Sequence, residues 1–129
     1  MSDKINLILK NLHLLVSISI VLPTGIIYGT PSIISQQLDI QVNTVDLSNM
    51  LKAIMCLYIG VSIMWVLGIW KKEYWKRATE LNILFMLTLG IGRILSIVID
   101  GLPTNGYIFG VIAELTIGLF SIYQLKKYN

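Results

Sequence analysis

The sequence predicts an all-α membrane protein: a four-transmembrane-helix bundle, antiparallel and up-down, with both termini on the cytoplasmic side (N-in/C-in). Three observations carry this expectation. Hydrophobic residues make up 55% of the 129 residues and charged residues only 13%, about half the ~25% charge usual in soluble domains. Four apolar stretches, at about residues 10–28, 47–70, 80–100 and 105–125, each have the roughly 17–25 residues that cross a hydrocarbon core. Eight of the ten Lys and Arg residues fall where four crossings place them on one side, the side that positive charge marks as cytoplasmic. A chain this short cannot hide so many large apolar side chains from water, because small folds bury the smallest share of their surface. A lipid bilayer is therefore the expected solvent, and residues 1–129 form a single integral membrane domain.

The first span follows Lys4 and Lys10, begins beside Asn11 and His13, and contains Pro23. Proline is tolerated in membrane helices, usually with a kink. A cleaved signal peptide is the rival reading of this segment, disfavoured because no small-x-small cleavage site follows cleanly before Tyr28. The long outer connection, 29–46, opens on Thr30-Pro31, an N-cap followed by proline at the first helical position. Residues 32–38 then suit a short helix lying on the membrane surface.

The second span carries Lys52 near its outer end and Cys56 within an apolar run. A lone cysteine excludes an internal disulfide, and in such surroundings it reads as a small buried hydrophobe. Trp65, Trp70, Tyr74 and Trp75 gather towards the basic connection of Lys71, Lys72, Lys76 and Arg77, as an interfacial aromatic belt would. Glu80 beyond it reads as a solvated helix start. The net charge of +3 therefore has a topological explanation and implies no nucleic-acid partner. Attraction to anionic lipid headgroups is compatible with it. The third connection, Asp100-Gly101-Leu102-Pro103-Thr104-Asn105, has glycine at a helix end, proline to stop it, and Thr104 or Asn105 to cap the fourth span, with Lys126 and Lys127 closing the chain. Spans three and four should form a hairpin.

Ionisable groups within a span are costly unless paired or facing water. Arg93 lies ten residues before Pro103 and Glu114 eleven after it, so in a hairpin both stand about 15–16 Å from the turn and can pair through the planar guanidinium fork. Asn82, Met86, Leu89, Arg93, Ser96 and Asp100 form one stripe of span three. Gly106, Gly110, Glu114 and Gly118 form a small-residue face of span four, suited to close helix packing. His13, Ser17, Thr24 and Tyr28 share a face of span one. These stripes predict a polar pocket in the outer half of the bilayer, lined by Lys52, Arg93, Ser96 and Glu114, with Asp100, Thr24 and Tyr28 near its mouth.

No enzyme motif is present. His, Cys and carboxylates are not spaced to hold a metal, the only histidine lies far from the outer carboxylates, and Gly90-Ile91-Gly92 follows no strand as a phosphate loop would. Neither catalytic residues nor a cofactor are expected.

The run from Leu89 to Pro103 (Gly92-Arg93, Ser96, then Asp100-Gly101-Leu102-Pro103), followed by Glu114, resembles small bacterial four-helix membrane proteins grouped as domain of unknown function 4345. Asn49-Met50-Leu51-Lys52-Ala53 resembles the start of their second helix, although Lys52 stands where that family would carry Arg, keeping the charge but losing the bidentate fork. The resemblance implies a multi-pass protein of the bacterial cytoplasmic (inner) membrane, and implies that Lys52, Arg93, Ser96, Asp100 and Glu114 are the family's polar positions. It implies no activity. Two functions follow as expectations. One is a membrane protein that binds or moves a small amphiphile, lipid headgroup or ion in its charged pocket. The other is a structural or accessory subunit of a larger membrane complex, or a homo-oligomer, in which the Arg93–Glu114 pair sets helix register.

Overall fold

The computed structural model describes residues 2–129 and consists of five helices: α1 Ser2–Gly29, α2 Pro31–Gln37, α3 Val45–Trp70, α4 Lys72–Asp100 and α5 Asn105–Tyr128. There is no strand among the described residues. Four helices are long and apolar enough to cross a membrane, the character of a multi-pass membrane protein.

Helix α1 begins well before its apolar stretch, with Asp3 in its first turn, where a negative charge favours the helix dipole. It continues through Pro23. The proline cannot donate a backbone bond, and one residue on, the Thr24 hydroxyl donates to the carbonyl of Ile20 at 2.6 Å. Pro31 occupies the first turn of α2 as expected, but Thr30 does not cap it. The Thr30 hydroxyl instead donates back to Ile26 at 2.7 Å. Thr44 is a true cap of α3, accepting from the Leu47 amide at 3.1 Å.

The basic connection is shorter than expected. Lys71 alone is extended, and Lys72, Lys76 and Arg77 lie in the first turns of α4. Gly101 ends α4 at φ +100°, a conformation that costs glycine little and other residues much. Thr104 stands at the start of α5 without a side-chain cap bond.

The most extensive packing joins α1 to α3, α4 to α5, and α3 to α4. Across α4 and α5, Asn82 meets Ser121, Leu87 lies against Gly118, and Arg93 meets Glu114, so residue numbers fall along one helix as they rise along the other. Close approach depends on glycine at several points, Gly118 and Gly25 among them. A Cβ at Gly118 would stand 2.8 Å from Leu87 Cγ, and one at Gly25 would stand 2.7 Å from Tyr58 Cβ. Either contact would push the helices apart.

Burial runs against the pattern of a water-soluble fold. Leu57, Ile63, Leu84, Ile91, Val98, Phe109, Ile112 and Leu119 are exposed, while Asn11, His13, Ser17, Thr79, Asn82, Ser121 and Gln124 are buried. Large apolar surface of this kind needs an apolar solvent. The buried polar groups form a layer at the Lys71 end of the bundle. Thr79 donates its single hydroxyl proton to the Trp75 carbonyl at 2.9 Å. In its 2.9 Å contact with His13 Nε2 it is therefore the acceptor, and His13 is the donor. Asn82 Nδ2 donates to Ser121 Oγ at 3.0 Å, and Ser121 donates to the Ile117 carbonyl at 2.7 Å. Gln124 Nε2 donates to the Leu9 carbonyl at 2.6 Å. These bonds tie α1 to α4, α4 to α5, and α5 to α1.

Two expectations are corrected. Trp65 and Trp75 are core residues rather than members of an interfacial belt, with Trp75 edge-on to His13 and under the Lys10 ammonium, whereas Trp70 is exposed. Cys56 is exposed, not buried. It sits on the outward face of α3 beside Leu57, where lipid accepts a thiol as readily as a core would.

Candidate functional site

Helical spacing brings the site together from α4 and α5. On α4, Met86, Leu89 and Arg93 share a face. On α5, Tyr107, Gly110, Glu114 and Ile117 share another. Where the two faces meet, Arg93 Nε donates to both carboxylate oxygens of Glu114, at 2.9 Å each. This differs from the two-nitrogen fork that sequence reasoning anticipates. One N–H is shared between two oxygens, so the guanidinium approaches by its Nε edge and keeps its outer nitrogens free of the carboxylate. Nη2 donates to the Tyr28 hydroxyl at 3.4 Å, and the guanidinium carbon lies 5.1 Å from the centre of the Tyr107 ring, within cation–π range. Nη1 has no hydrogen-bond partner among the described residues. The side chains of Arg93 and Glu114 are 19% and 11% exposed, so the pair is enclosed but reachable.

It is reachable from two cavities. The first, of about 240 Å³, lies between α1, α4 and α5 beneath the end of α2, with walls that include Ile20, Ile27, Leu89, Phe109 and Ile117. The second, of about 450 Å³, lies between α3 and α4 under Pro103, with Leu51, Ile54, Thr88 and Ser96 in its lining. Arg93, Tyr28, Tyr58, Leu89 and Tyr107 line both. The arrangement sets hydrogen-bond donors at the junction of two largely apolar chambers.

Of the residues singled out from sequence, Arg93, Glu114, Thr24 and Tyr28 line the first cavity, and Ser96, Arg93 and Tyr28 line the second. Asp100 accepts from Ser96 at 3.0 Å but is exposed and lies outside both linings. Lys52 is also outside them: it is exposed and donates to Ser48 Oγ at 2.8 Å. Leu51, Ile54 and Tyr58 occupy the cavity face of α3, and at 100° per residue Lys52 stands roughly a quarter turn or more away from them.

Tyr58 and Tyr107 were not anticipated. Tyr58 packs edge-on against Tyr28, ring centres 5.6 Å apart, and against Phe85 at 5.2 Å. The available signal was spacing, since Tyr107 lies seven residues before Glu114 and Tyr58 seven after Leu51, each on the inward face of its helix. No three His, Cys, Asp or Glu side chains among the described residues stand together as a metal site would require.

A family model described as a domain of unknown function (DUF4345) matches residues 9–125, a stretch that includes both cavities and the polar layer around His13. No curated protein and no solved structure matches the chain.

Proposed function

Because the chain belongs to the DUF4345 family, whose description assigns no activity, we propose its function from the site itself: it binds or moves a small amphiphile, lipid headgroup or ion at the Arg93–Glu114 pocket. In this reading the protein is a single integral domain of the bacterial cytoplasmic membrane, an antiparallel up-down bundle with both termini inside. Lys4, Lys10, Lys71, Lys72, Lys76, Arg77, Lys126 and Lys127 then lie on the cytoplasmic side, and the pocket, close to the Gly101 turn, belongs to the outer half of the bilayer. Arg93, Glu114, Tyr28, Thr24 and Ser96 are the proposed contacts. Lys52 and Asp100 act only as exposed charges on an arriving ligand.

The observation that carries this reading is the position of Arg93. Its guanidinium lines both cavities while only its Nε edge is used by Glu114. A pair serving register alone would be expected to fill its surroundings, because unpartnered polar groups facing low dielectric are costly. The test is a ligand screen of detergent-solubilised wild type and Arg93→Ala, read by native mass spectrometry and thermal shift. Wild type should retain or gain ligands that Arg93→Ala does not. Identical profiles would end the proposal.

A second reading has one observation in its favour: Glu114 already neutralises Arg93 at 2.9 Å. A register-setting pair in a subunit of a larger assembly needs nothing more. Under this reading a charge-swapped Arg93→Glu/Glu114→Arg protein folds and functions normally, and the chain co-purifies reproducibly with one membrane partner. Under the pocket reading the swap abolishes ligand retention.

A further inference from the structure

Resting on the pocket reading above, we propose that the ligand is a single-chain amphiphile with an uncharged, hydrogen-bond-accepting head, an alcohol or carbonyl compound, and not an anionic lipid or a cation. The argument begins with charge. Arg93 and Glu114 are the charged side chains in the cavity linings, and they contact each other. The other charged residues singled out from sequence, Lys52 on α3 and Asp100 on α4, stand exposed and bonded to Ser48 and Ser96, outside both linings. The site is therefore neutral as built. A charged head would leave one uncompensated charge in a low-dielectric setting, which is strongly disfavoured.

The donor inventory gives the chemistry of the head. Both Glu114 oxygens already accept from Nε, while Nη1 is a donor without a protein acceptor. Nη2 makes only a 3.4 Å bond to Tyr28, and the Tyr107 ring flanks the guanidinium. The guanidinium keeps both Nη1 hydrogens and one on Nη2, a charged donor edge open to the cavities. The complementary head therefore accepts hydrogen bonds there, and the proton of an alcohol head can go to a remaining lone pair of Glu114. The walls give the tail. Ile20, Ile27, Leu89, Phe109 and Ile117 enclose the first cavity, and an alkyl chain contacts such a surface without unmet polar groups.

The test uses the full chain in phosphatidylcholine nanodiscs and three probes that share one alkyl tail: dodecanol, dodecanoate and dodecyltrimethylammonium. Saturable binding of each is measured against empty nanodiscs, so that simple partitioning into lipid is subtracted. Dodecanol is expected to bind wild type at least about tenfold more tightly than either ion, a margin set by the cost of one unpaired charge. Glu114→Gln should shift preference to dodecanoate, because Arg93 then lacks its counter-charge, and Arg93→Gln should shift it to dodecyltrimethylammonium. If wild type prefers either ionic probe, the neutral-head assignment is wrong while the pocket reading survives. If no probe binds saturably, the single-chain amphiphile assignment fails, and the pocket reading stands or falls on the Arg93→Ala screen. The wild-type ranking decides the matter even if a variant does not fold.

Discussion

About eleven residues of α4, or ~16 Å at the rise of a helix, separate Asn82 from Arg93, and the bundle treats the two levels differently. Around Asn82 the polar layer is closed. His13, Thr79, Asn82 and Ser121 are fully buried, none lines either cavity, and they bond to Thr79, Trp75, Ser121 and Ile117. The buried atoms left over at this level, His13 Nδ1, Asn82 Oδ1 and the Nε1 of Trp75 packed against His13, belong to uncharged groups. Around Arg93 the layer is open. A charged pair sits between two cavities, and what is left over is a donor edge facing space. In lipid, cross-helix hydrogen bonds among neutral groups contribute modestly, about 0.6–1.7 kcal/mol each, and are suited to holding helices in register. A full charge is a far larger commitment. The difference teaches that the neutral layer alone can hold the helices in register, and under the pocket reading proposed above the charged one is then available for a ligand.

The most disruptive way to test that division is to break the ion pair. Glu114→Leu leaves the guanidinium without its carboxylate and is expected to cost about 3 kcal/mol of stability, measured by unfolding in lipid nanodiscs. The double variant Arg93→Leu/Glu114→Leu should recover most of that loss, because an apolar pair can replace a buried ionic one, yet should bind no amphiphile. Recovery of both stability and binding would collapse the distinction between the layers. Next in size is His13→Ala, which opens a void in a fully buried site and removes the bond that the Thr79 hydroxyl accepts, leaving it bonded only to the Trp75 carbonyl. A loss of about 2–3 kcal/mol is expected, with ligand affinity of the folded fraction unchanged. A change in affinity would show the two layers to be coupled.

Ser121→Ala removes the acceptor of Asn82 Nδ2 and the hydroxyl's own bond to the Ile117 carbonyl and should cost about 1 kcal/mol by the same unfolding assay. The smallest effect is expected of Lys52→Ala. Its side chain is exposed and paired only with Ser48, so stability should stay within about 0.5 kcal/mol of wild type and dodecanol affinity should not change. A marked loss of affinity would put Lys52 back into the pocket.

Length and hydropathy are read residue by residue, which is why four helices of membrane-crossing character could be expected from the chain alone, as could the glycine that ends α4. Helical counting from Pro103 likewise put Arg93 and Glu114 at one depth, since the rise per residue is the same in every helix. Rotation about each helix axis was another matter. In a water-soluble helix the apolar stripe marks the inner face. In lipid both faces are apolar, so α3 carries little phase information, and Lys52, Cys56, Tyr58 and Trp65 could not be sorted into inward and outward by pattern. Only packing decided that Leu51 and Tyr58 face the cavities while Lys52 turns away, that Trp75 closes over His13, and that Tyr107 lies beneath the guanidinium. These placements depend on which side chains from distant parts of the chain fit together, a property no local stretch of sequence contains.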